Sequence, residues 1–155
     1  MGSSNTLYAI TLGSKYSFSF DDKLTTNSTK VSIKCTMWVY TNSSMKSNGK
    51  VTATIHLYSN SGTDLASFTF SNVTSYRKAS ASDATGYSKT TTLSSTNAFS
   101  AENFKFAFTS LSITPTTDGS SSMEYNTHIT KVRFIISRYG TSGGLTPCNV
   151  YYIDL

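Results

Sequence analysis

Residues 30–41 read KVSIKCTMWVYT, and residues 50–59 read KVTATIHLYS. In the first run Val31, Ile33, Cys35, Met37 and Val39 fall on every second position; in the second Val51, Ala53, Ile55 and Leu57 do the same. Successive side chains of an extended chain point to opposite sides, so a period of two describes strands with one face in a core and the other turned away from it. The stretch between them, NSSMKSNG at 42–49, is polar and ends in Asn48-Gly49, a dipeptide that favours tight turns. Residues 30–59 therefore read as a long hairpin or as two sequential strands, expected to be neighbours in one sheet.

The same alternation extends outward along the chain. Residues 6–12 (TLYAITL), 15–20 (KYSFSF), 66–73 (ASFTFSNV), 103–113 (NFKFAFTSLSI), 127–138 (THITKVRFIISR) and 148–154 (CNVYYID) read as further strands. Residues 74–101 are rich in Ser, Thr and Ala and read as a long excursion holding one short strand near 88–94. TPTTDGSSS and YGTSGGLTP are loops by their Gly, Pro, Asp and Ser content. No stretch carries a helical stripe, and neither a repeat nor an interior boundary divides the chain. The expectation is an all-β, single-domain antiparallel β-sandwich over 1–155, jelly-roll type, with about nine strands. Residues 149–154 are expected to close it beside strands from the N-terminal half.

Composition narrows the function classes. Ser and Thr number 28 and 25, a third of the 155 residues, and charged residues are only 14%. Aromatics at 13% and a net charge of only +5 oppose disorder, which needs few aromatics and strong self-repulsion. No apolar run approaches the ~18 residues of a membrane-spanning helix. The N-terminal MGSSNTLYAITLGSKYS has neither a basic nor an apolar leader region, so no signal peptide is expected. Basic residues are scattered rather than blocked, which excludes a specific nucleic-acid partner as the leading expectation.

Candidate catalysts are few. The chain has six Asp and two Glu, mostly in turn contexts such as FDDK and TDG, where a carboxylate caps its own turn. His56 and His128 have no His-x-His or Cys-x-x-Cys near them, and no Gly-x-Ser-x-Gly occurs. The expectation is a protein that is not an enzyme. Cys35 falls on an apolar strand face and reads as a small buried hydrophobe, with Cys148 at the start of the last strand; two free thiols are the expectation without an export signal, a Cys35–Cys148 bridge between paired strands the alternative.

If Val31 to Val39 and Val51 to Leu57 face the core, then Trp38, Tyr40, His56 and Tyr58 face the other way. Flat rings among hydroxyls suit a sugar, whose apolar side packs on a ring while its hydroxyls bond around the edge. These four are the candidate ligand-binding residues. The competing reading is that the same face is covered by residues 74–101 or by another subunit.

Four segments in order, MWVYT (37–41), VTATIHLYSNSG (51–62), ITKVRFIIS (129–137) and NVYYIDL (149–155), resemble the galactose-binding-like jelly rolls. These occur as carbohydrate-binding modules beside polysaccharide-processing enzymes and in bacteriophage tail-spike and virion surface proteins. The resemblance implies a non-enzymatic carbohydrate- or cell-surface-binding module used in receptor binding or adhesion. With no leader, it points to a virion surface, the alternative being extracellular. The implied partners are a cell-surface glycan or other virion proteins, in a homo-oligomer or multicopy assembly. The resemblance also implies a structural calcium near Asp154, with Asp21 or Asp22 alongside; the plain reading of Asp154 is a solvated acid. The alternative function is a purely structural virion component, a capsid decoration or tail protein without glycan binding.

Overall fold

The computed structural model describes residues 6–7, 10–20, 31–93, 103–115, 126–138, 146–147 and 151–152. Its elements are β1 (Thr6–Leu7), β2 (Ile10–Thr11), β3 (Tyr16–Ser19), β4 (Val31–Asn42), β5 (Gly49–Ser59), β6 (Asp64–Ser75) and β7 (Arg77–Lys78). A 3-10 turn at Ala81–Asp83 follows, then β8 (Thr85–Leu93), β9 (Asn103–Pro115), β10 (Thr127–Arg138), β11 (Thr146–Pro147) and β12 (Tyr151–Tyr152). One sheet has the order β3-β9-β5-β6. In the other, β4 lies between β10 and β8, β7 continues the β8 side, and β11 and β12 both pair with β10. The fold is an all-β sandwich of two packed sheets.

The winding follows from that order. The chain changes sheet from β3 to β4, β4 to β5, β6 to β7, β8 to β9 and β9 to β10, and stays within a sheet at the β5–β6 hairpin, from β7 to β8 and after β10. Strands that are neighbours in a sheet are thus mostly distant in sequence, as in a jelly roll. Apart from the two-residue β4–β7 contact, the pairings are antiparallel.

Alternation sets the core. Val31, Ile33, Cys35, Met37 and Val39 of β4 and Val51, Ala53, Ile55 and Leu57 of β5 are all fully buried, facing one another between the sheets. Phenylalanines bridge the layers. Phe134 of β10 lies with its ring centroid 5.1 Å from Phe18, 5.7 Å from Phe106 and 5.9 Å from Phe68, three rings from three strands of the facing sheet. Burial of these rings together with the aliphatic side chains of β4, β5 and β10 holds the two sheets together. One polar group is admitted on satisfied terms: Thr41 Oγ1 donates to Ser75 Oγ (3.0 Å) and lies 2.9 Å from Thr127 Oγ1, all three residues being buried.

Four expectations need correction. First, β4 and β5 are not neighbours in one sheet; β5 pairs with β6 and β9, and β4 with β8 and β10. The connection crosses the end of the sandwich. Asn42 turns it through Oδ1 to Ser44 N (2.9 Å), Met45 buries its side chain, and Asn48 Oδ1 accepts from Arg77 N (3.0 Å). Asn48-Gly49 therefore ties the crossing to β7 instead of forming a hairpin turn.

Second, the strand expected near 88–94 within the 74–101 excursion is present but longer, Thr85–Leu93, and β6 and β7 take up the start of that stretch. This strand, β8, pairs with β4 from Val31↔Leu93 to Val39↔Thr85. An edge strand of this kind needs little apolar content: Tyr87 and Leu93 pack on the core, while Gly86, Ser88, Thr90 and Thr92 are exposed. Lys89 takes the inward parity opposite Cys35, a charge that discourages further strand pairing. Third, among the described residues of the expected 149–154 strand, Tyr151–Tyr152 forms β12 and pairs with β10 through Lys131↔Tyr152 and Val132↔Tyr151, where strands from the N-terminal half were expected. Fourth, residues 6–12 are not one strand; Thr6–Leu7 and Ile10–Thr11 pair with each other as a small hairpin.

Candidate functional site

The four candidate binding residues do not share a face. The outward assignment of each holds, since all four alternate with buried neighbours and are half-buried themselves. Because β4 and β5 belong to different sheets, however, Trp38 and Tyr40 lie on the outer face of one sheet and His56 and Tyr58 on the outer face of the other. Two packed sheets turn their outer faces away from each other, so the expected single aromatic surface is two separate ones.

Trp38 stands at the middle of β4, between Gly86 of β8 and Lys131 of β10. A Cβ at position 86 would lie 2.8 Å from Trp38 Nε1 and 3.1 Å from Cε2, so the indole rests directly on the backbone of β8. Any side chain at 86 would displace it. Lys131 Nζ lies 4.7 Å from the ring centroid and Arg133 Cζ 5.4 Å from it, within cation–π range. The ring is therefore held from below by a glycine and flanked by two cations.

A β-bulge makes this arrangement. In β10, Ile129 opposes Val39 and Lys131 opposes Trp38, leaving Thr130 as an extra, buried residue. The insertion shifts the parity of the strand. His128 points outward before the bulge, and Lys131 and Arg133 point outward after it, while Ile129, Val132, Phe134 and Ile136 all stay in the core. His128 stacks on Tyr40, with ring centroids 5.0 Å apart and planes at 16°. Thr36, beneath Arg133 in register, bonds Ser88 Oγ at 2.8 Å and is buried although it lies on the outer side. Lys131, Arg133 and Gly86 are the members of this site that the sequence reading did not single out, and His128 entered it only as a possible base or metal ligand.

The opposite face has its own polar group. His56 and Tyr58 stand as near-parallel rings, 6.1 Å apart at 20°. His56 Nδ1 lies 2.8 Å from Asp64 Oδ2, and Lys15 Nζ sits 4.8 Å from the Tyr58 centroid. Burial, and next the Asp64 charge, push the Tyr58 hydroxyl pKa upward. A shallow open cleft nearby is lined by Ser17, Ser19, Asn60 and Asn103. The His56–Asp64 pair has the geometry of an oriented base, but among the described residues no hydroxyl bonds His56 to complete a nucleophilic arrangement.

Among the described residues no three His, Cys, Asp or Glu side chains gather as a metal site. Asp21, Asp22 and Asp154, the expected calcium ligands, lie outside the described residues, as does Cys148. No family model, curated protein or solved structure matches the chain. No helix among the described residues is long and apolar enough to cross a membrane.

Proposed function

We propose that this chain is a non-enzymatic binding module that attaches to a carbohydrate or cell-surface polymer through the outer face of the β4 sheet. The observation that carries the reading is the seat of Trp38. The only Trp of the chain is half-exposed, laid on a glycine and bordered by Lys131 and Arg133, with Ser88 next along the outer face of β8 and the exposed Thr90 and Thr92 continuing that row away from it. A rigid aromatic surface with donors and acceptors at its margin is the arrangement that recognises a sugar ring. A flat face of this size gives weak single-site affinity, so the module works in multiple copies, as on a bacteriophage virion or another displayed surface. The resemblance to galactose-binding-like jelly rolls supports the same reading.

The test is a glycan array probed with the wild-type protein and with Trp38→Ala. Wild-type binding that is lost in a folded Trp38→Ala variant is the expected outcome. An array without hits, together with loss of Trp38 exposure when the protein enters its native assembly, would overturn the reading in favour of the structural virion component.

A further inference from the structure

The long strands β4, β8 and β10 contain Lys34, Lys89, Lys131, Arg133 and Arg138 and neither Asp nor Glu. Register places three of these cations on the outer face: Lys131 opposite Trp38, Arg133 opposite Thr36, and Lys34 opposite Ile135. Lys131 and Arg133 are two residues apart on one strand. Lys34 is the diagonal neighbour of Arg133 on the next, a separation of roughly 7–8 Å. Neither Lys34 nor Arg133 has a carboxylate partner among the described residues. The Nε of Arg133 is moreover buried without a hydrogen bond, so its guanidinium is shielded from water on one side. An anion reaching the rest of that guanidinium meets a charge the sheet leaves unanswered, and charge-assisted hydrogen bonds strengthen where water is partly excluded.

We infer that the Trp38 face selects an acidic saccharide, with Arg133 and Lys34 holding the anionic group and the hydroxyls of Ser88 and Thr90 bonding the sugar. This rests on the reading of the face as a saccharide site and adds the charge of its ligand. A nucleic acid fits less well, because the row beside these cations is neutral hydroxyl and not the continuous basic track that follows a phosphate backbone.

Calorimetric titration tests the inference. The acidic probes are polygalacturonate and dextran sulfate, the neutral ones methyl-esterified polygalacturonate and dextran, and a thymidine oligonucleotide is the third class. Wild type is compared with Arg133→Gln, Arg133→Lys, Lys34→Gln and, on the other sheet, Lys50→Gln. At least one acidic polymer is expected to bind about tenfold or more tighter than its neutral counterpart and to weaken as salt rises. Arg133→Gln is expected to lose about tenfold and Lys34→Gln several-fold, Arg133→Lys to fall between Arg133→Gln and wild type because it keeps the charge and loses the planar fork, while Lys50→Gln stays within about threefold of wild type. Thermal melts of every variant separate loss of charge from loss of fold. Equal binding of acidic and neutral polymers overturns the inference and leaves the saccharide reading standing. Tighter binding of the oligonucleotide overturns the inference in favour of nucleic acid. Binding of no probe, with no array hit, overturns both.

Discussion

Trp38 Nε1 lies 2.8 Å from the point that a Cβ on Gly86 would occupy. The two residues face each other across the β4–β8 ladder, so the glycine is what lets the indole lie flat on its neighbour strand. Gly86→Ala is therefore expected to destabilise by about 1–3 kcal/mol through overpacking, although Ala is otherwise the better strand residue. In the Trp38→Ala background the same change is expected to cost little. Thermal melts of the two single variants and the double variant check this coupling; additive costs would show that the two residues do not meet.

The two large aromatics of neighbouring strands should behave in opposite ways. Phe134 is buried among rings of the facing sheet, and Phe134→Ala is expected to cost about 3–5 kcal/mol. Trp38 is half-exposed on the outer face, so Trp38→Ala should cost far less and leave a cooperative melt. Urea unfolding of both variants measures the difference.

Thr41 is the hub of the buried hydroxyl group that joins β4, β6 and β10. Thr41→Val keeps the shape but leaves Ser75 and Thr127 without that partner inside the sandwich. A loss of about 1–3 kcal/mol is expected. Ser75→Ala, which removes a partner and leaves the Thr41–Thr127 contact, is expected to cost less, as denaturant midpoints will report.

Tyr87 ties the edges of the two sheets, its hydroxyl donating to Thr74 O at 2.6 Å. Burial, and then the charge of Tyr76, raise its pKa above the ordinary 10.0. A raised folded pKa means that the stabilisation is fully present below the unfolded value and fades as pH climbs from there through the folded one. Tyr87→Phe is expected to lower the melting temperature at neutral pH, with the gap to wild type closing above about pH 10. A gap that stays constant through that window would count against the link.

Much of the core was legible because periodicity reports which way a side chain points. The buried sets of β4 and β5 follow directly from it. Periodicity does not report which strand lies alongside, so Trp38 and Tyr58 were expected together and lie on opposite faces. The strand β8 was underestimated because its inward positions include Thr85, Lys89 and Thr91 beside Tyr87 and Leu93, which breaks the apolar rhythm. The bulge in β10 had a visible trace: Ile129 and Val132 are three apart, while Val132, Phe134 and Ile136 are two apart. That change of spacing brings Lys131 and Arg133 out beside Trp38, and reading it would have located the cations of the site.

Because Trp38 is the sole Trp of the chain, its fluorescence reports on the proposed site alone. Acrylamide quenching of that fluorescence, with and without a saturating bound saccharide, tests the central claim most directly. Saccharide lying on the β4 sheet should shield the indole and lower the quenching constant several-fold, and Arg133→Gln should restore quenching at the same ligand concentration by releasing the ligand. Saccharide that binds measurably while Trp38 stays as quenchable as in the unbound protein would contradict the account and move attention to the His56 and Tyr58 face.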